Sequence, residues 1–193
     1  MIDVEPATTR MTAVLAQLRD EDLGRPTPCP GSTVGDLVDH VGTFARAFAG
    51  KAGGTSGPSG STGPPPPPDA ANLGPDWRDE LPRDLEALAA AWRPASAWEG
   101  MTVAGGLEMP AAVAGLVALD ELLVHGWDLA VATGQPYAVS DAECEAAIGF
   151  VSSFEAPRDG QLFGPIVVQP DDAPLLEQLL GLTGRDPAWA PGP

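Results

Sequence analysis

From Pro110 to Gly134 the chain reads "PAAVAGLVALDELLVHGWDLAVATG". A proline is suited to the first turn of a helix, where its missing N–H costs nothing, and a glycine is suited to the position just past the last turn. The spacing therefore predicts one long helix from Pro110 to about Thr133. Most of it is apolar, so it has to be buried among other elements. Into this apolar run are set Asp120, Glu121, His125 and Asp128.

The other elements read the same way. "ATTRMTAVLAQLRD" (7–20) predicts a first helix, with Met11, Val14, Leu15 and Leu18 on one face. "GRPTPCPGS" interrupts it. Thr33 and Asp36 then make a capping box for a second helix, whose stripe is Leu37, Val41, Phe44 and Phe48 and whose end is Gly50. "RDLEALAAAWR" predicts a third helix starting near Pro82, with Leu85, Leu88 and Trp92 inward. "EGMTVAGGLEMP" is too short and glycine-rich for a helix and predicts a brief extended excursion. Ser140 and Glu143 form a second capping box, for a helix to about Phe154, and "PLLEQLLGLTG" is a short last helix. Between them, residues 53–75 form a proline- and glycine-rich loop. Its five consecutive prolines favour polyproline II and could serve as an SH3-type ligand, but a loop between helices is the simpler reading. The expected architecture is an all-α bundle spanning residues 1–193 as a single domain.

Composition narrows the partners. A formal net charge of -17 and a pI near 4.1 disfavour nucleic acid and anionic membrane surfaces. No apolar run is long enough to span a bilayer, and the acidic N-terminus does not read as a signal peptide. Two distant cysteines, Cys29 and Cys144, make no disulfide framework and fit a reducing cytosol.

The chain has two histidines, His40 and His125. On a helix Glu121 and His125 lie four apart, on one face, roughly 6 Å apart at their Cβ atoms. Small residues, Ala114, Ala118 and Ala132, flank them, while Leu116, Leu119, Leu123 and Trp127 point elsewhere. His40 shares a face with Asp36, Thr43 and Ala47, at the edge of the second helix's apolar stripe. Packed against each other, the two helices would bring together two imidazoles and one carboxylate, an open set for a divalent cation. The alternative is that these are core-edge histidines, one of them paired with Glu121. Asp128 is either a hydrogen-bond acceptor behind His125, or a general base, or a helix-end acid. Asp36 reads as a cap rather than a residue orienting His40, Trp127 as core rather than a pocket wall, and Cys29, in the loop before the second helix, as a small buried residue rather than a catalytic thiol.

"TPCPGSTVGDLVDHVG" (27–42), "DELLVHGWDLAVATGQP" (120–136) and "LTGRDPAW" (182–189) together resemble the mycothiol-dependent maleylpyruvate isomerase N-terminal family, part of the actinobacterial and bacillar DinB-like superfamily. That resemblance implies a DinB-like four-helix bundle with a divalent metal, most often zinc, on His40, Glu121 and His125. Nickel and iron are compatible with the same ligands. It further implies mycothiol as co-substrate, a small electrophile as substrate, and a transferase or isomerase reaction. A non-catalytic metal- or ligand-binding bundle is the other reading. The family usually carries tryptophan where this chain has Ser32, and the isomerase has a second, C-terminal domain, so maleylpyruvate itself is not the expected substrate. A homodimer is compatible with such a bundle, though nothing in the sequence sets the oligomeric state.

Overall fold

The computed structural model describes residues 1–54, 67–153, 158, 160 and 162–192. Among them six α-helices occur: α1 (Glu5–Leu15), α2 (Val34–Ala49), α3 (Trp77–Trp92), α4 (Ala111–Thr133), α5 (Asp141–Ser152) and α6 (Leu175–Leu182). α1 and α2 both pack against α3 and α4, which closes a four-helix ring; α5 lies on α4 and pairs with α6. The predicted helical bundle is therefore the fold observed. Its core is one apolar cluster drawn from all six helices, with Met11, Leu37, Leu85, Leu88, Leu119, Leu123 and Leu179 fully buried. The extended excursion is an antiparallel hairpin, β1 (Met101–Ala104) and β2 (Leu107–Pro110), turned at Gly105–Gly106. Most of the proline-rich loop lies outside the described residues.

The caps behave as read. Thr33 Oγ1 accepts from the Asp36 amide while Asp36 accepts from the Thr33 amide, and Ser140 and Glu143 do the same for α5. Gly134 closes α4.

Two boundaries differ from expectation. α1 stops at Leu15, short of Asp20. Beyond it, Asp22 is buried and accepts from the Arg19 amide and guanidinium, with Arg25 also 3.1 Å away. This ionic turn (Asp20–Asp22 is a short 3-10 helix) draws the chain out of the helical path. α3 begins at Trp77, more than a turn before Pro82, which sits inside it. The extra turn is held by burial: Trp77 and Leu81 are both below a tenth exposed. Burying two large side chains outweighs the one hydrogen bond that proline removes. Among the described residues no helix is long and apolar enough to cross a membrane.

Candidate metal centre

α2 and α4 face each other, and their polar positions meet. His40 Nε2 lies 2.9 Å from Glu121 Oε2, and His125 Nε2 lies 3.2 Å from the same oxygen. The two imidazole rings stand edge to face with centroids 4.9 Å apart. His40 and Glu121 are each about 30 % exposed and His125 12 %, so the cluster opens to solvent on the side of the first two. The small residues predicted to flank it, Ala114, Ala118 and Ala132, are fully buried and let the neighbouring helices approach.

His125 is gripped from its other side as well. Its Nδ1 lies 3.0 Å from Asp128 Oδ2. An ionised carboxylate only accepts, so both ring nitrogens of His125 act as donors when no cation is present. Burial opposes that charge, but hydrogen bonds to Asp128 and Glu121 outweigh it and raise His125 to about 10. Glu121 responds inversely: burial would raise it, yet the hydrogen bonds from His125 and His40 hold it well below the usual carboxylate range.

Asp128 is fully buried, not a helix-end surface acid. Besides His125 it faces Arg185, whose Nη2 donates to Oδ2 at 3.1 Å and whose Nε reaches Oδ1 at 3.5 Å. Arg185, from the segment after α6, was not singled out by sequence reasoning. Its only signal was the basic residue in "LTGRDPAW". Asp120 is also buried, its Oδ1 has no hydrogen-bond partner among the described residues, and burial together with Glu121 pushes it up to about 7. Cys29 is half-buried, and its Sγ lies within 4.8 Å of ligating atoms of both His125 and Asp128. Cys144 is buried away in α5, where burial pushes its thiol up to about 11. Asp36 serves its cap and accepts from the Ala70 amide, and Trp127 is a core residue.

The donor set fits a divalent cation. Ligand atoms about 2.0–2.1 Å from a tetrahedral zinc stand about 3.3 Å from one another. The two nitrogens are 2.9 and 3.2 Å from Oε2, close to that spacing, and the three residues offer ligand atoms that all lie within 4.8 Å of one another. A carboxylate on Nδ1 of a ligating histidine is the usual companion of such sites.

The family described as "Mycothiol maleylpyruvate isomerase N-terminal domain" matches residues 4–130. The chain belongs to this family. The matched stretch contains His40, Glu121, His125 and Asp128 and ends before Arg185. Two curated relatives come from Mycobacterium tuberculosis, "Uncharacterized protein MT0763" (strain CDC 1551 / Oshkosh) and "Uncharacterized protein Rv0738" (strain ATCC 25618 / H37Rv). Each is 29% identical over 190 residues, covering 93% of this chain and 93% of the relative. No solved structure matches the chain.

Proposed function

We propose that this member of the mycothiol maleylpyruvate isomerase N-terminal family binds a divalent metal, zinc before nickel or iron, through His40, Glu121 and His125. With it, the protein uses a low-molecular-weight thiol, mycothiol, to transfer to or isomerise a small electrophile. The observation that carries this reading is the single oxygen Glu121 Oε2 held between the Nε2 atoms of two histidines on facing helices. A divalent cation at that point supplies Lewis acidity, which lowers the pKa of a thiol and makes the thiolate available at neutral pH. The residues of the chain do the rest. Asp128 keeps the proton on Nδ1 of His125 and so leaves Nε2 as the ligating nitrogen. The third-exposed sides of His40 and Glu121 leave room for a small molecule to enter from solvent. On the inner side, His125 is only 12 % exposed and Asp128 fully buried, so solvent reaches the cluster from the side of His40 and Glu121. Three protein donors leave a position free for substrate, which favours reaction over a closed structural site.

In this reading residues 1–193 are one domain with the 53–75 loop inserted in it, since the apolar core is continuous across α1 to α6. The free thiols Cys29 and Cys144 suit a reducing cytosol.

The test begins with metal content by mass spectrometry on untagged wild type beside His40→Ala and His125→Ala. The expected result is about one divalent ion per chain, lost in both variants. A wild type that carries no metal and takes up neither zinc nor nickel overturns the reading. Metal-loaded protein is then given mycothiol and small electrophiles. Consumption that requires both thiol and metal supports the reaction, and uptake of metal without turnover assigns a binding role instead.

A further inference from the structure

We infer that Arg185 is a positioning residue for the candidate metal centre: it locks Asp128, and through Asp128 fixes the ring of His125 with Nε2 turned toward Glu121. The inference rests on the metal reading of the site, but its geometry stands separately. Arg185 lies 57 residues from Asp128 in sequence and reaches it across the fold.

The route begins in the backbone. α6 ends at Leu182, and the chain reverses through Gly184 at φ +87, with the Arg185 amide donating to the Leu180 carbonyl at 2.8 Å. Gly184 can make this turn because it lacks a Cβ, which would stand 2.7 Å from the Cα of Gly164. The crossing of the two glycines pins the start of the arginine side chain. Its guanidinium is then held at three points: Nη1 donates to the Thr183 carbonyl at 3.2 Å, Nη2 to Asp128 Oδ2 at 3.1 Å, and Nε to Asp128 Oδ1 at 3.5 Å.

Both oxygens of Asp128 are thus engaged by one planar fork, which fixes the rotation of the carboxylate about its last bond. Oδ2 is the oxygen that also accepts from His125 Nδ1. Asp128 is fully buried, so water cannot replace the arginine. Without the fork the carboxylate can turn, and the histidine it orients can turn with it. The family match ends at residue 130, so this support comes from a part of the chain outside it.

The experiment uses the full chain as wild type, Arg185→Met, Arg185→Lys and Leu180→Ala. Leu180, buried in α6, is a control for destabilising the same segment while the guanidinium and the backbone carbonyl that anchors it are kept. Two quantities are read: zinc affinity by competition with a chromophoric chelator, and solvent exchange of the His125 Nδ1–H in the metal-free protein by proton–nitrogen NMR. Arg185→Met is expected to weaken zinc about 10–100-fold and to speed Nδ1–H exchange, with Arg185→Lys between it and wild type and Leu180→Ala near wild type in both. Wild-type zinc affinity and exchange in a folded Arg185→Met overturn the inference, as does an equal loss in Leu180→Ala. If Arg185→Met fails to fold, Arg185→Lys decides, because lysine keeps the charge and loses the fork: faster exchange supports the inference, wild-type exchange overturns it. If wild type binds no zinc, the metal reading fails, and Nδ1–H exchange alone still judges Arg185.

Discussion

Replacing Asp128 by asparagine isolates one charge at the centre of the fold. The side chain is fully buried, and Arg185, its cationic partner, is 10 % exposed. Asparagine has nearly the same shape, and its Oδ1 can still accept from His125 or from Arg185, so packing changes little. What changes is that a buried guanidinium loses its counter-ion. Breaking one side of such a pair costs about 3–5 kcal/mol, because the remaining charge stays out of water. For a domain of this length each kcal/mol moves the midpoint by about 2–4 °C, so Asp128→Asn is expected to melt about 6–20 °C below wild type. The assay is thermal unfolding of the metal-free protein followed by circular dichroism at pH 7. A second variant sharpens it. Asp128→Asn combined with Arg185→Met removes both charges and is expected to regain at least half of the loss, since an apolar replacement of a whole buried pair is close to neutral. If Asp128→Asn costs less than about 1 kcal/mol, or if the double variant is less stable than Asp128→Asn alone, the pair is not the desolvated one described here and the reasoning is refuted.

Three further outcomes follow from the same geometry. His125 is raised to about 10 in the fold, above its unfolded value, so the stability it contributes is complete below about pH 6.5 and is lost as pH rises through 10; urea midpoints of metal-free protein between pH 7 and 10 should fall, and should fall less in His125→Gln. Asp120 is raised to about 7 by burial, so its ionised form carries a penalty above that pH; Asp120→Asn should gain about 1–3 kcal/mol at pH 8, once the cost of its unpaired amide is counted, and nothing at pH 3, by urea unfolding. Gly126 faces Tyr137, and a Cβ there would stand 2.4 Å from the phenol oxygen that donates to the Leu123 carbonyl; Gly126→Ala should cost about 1–3 kcal/mol in thermal unfolding, and a neutral result would mean the tyrosine is free to move.

What the sequence disclosed about this fold was local. Thr33 with Asp36 and Ser140 with Glu143 are capping boxes written in four residues, and the structure realises both. Glu121 and His125 are neighbours by helical spacing alone, and the edge position of His40 on α2 was enough to place it opposite them. What stayed hidden depends on distant partners. The first turn of α3 passes Pro82 because Trp77 and Leu81 find the core, and nothing within that segment announces it. Asp128, three residues beyond His125, reads equally as a surface acid until Arg185 is brought to it from the far end of the chain. Cys29 packs against the core as a small residue of that loop, and what the loop could not show is that its thiol also lies beside His125 and Asp128.

The two carboxylates on His125 are not equivalent, and the difference gives the site a direction. Asp128 on Nδ1 is fully buried and neutralised by a guanidinium, so its grip is fixed and closed to solvent. Glu121 on Nε2 is about 30 % exposed and is held by the two imidazoles. A divalent cation competes with protons for nitrogen lone pairs, and it wins where the proton can leave and the carboxylate can turn to join it. Both conditions hold at Nε2 and neither at Nδ1. In the proposed metal reading, the half-open face of Glu121 and His40 is therefore the side from which a cation would enter. The Arg185–Asp128 pair holds His125 from the buried side, and His40, Glu121 and His125 would be the residues to hold a cation on the open side.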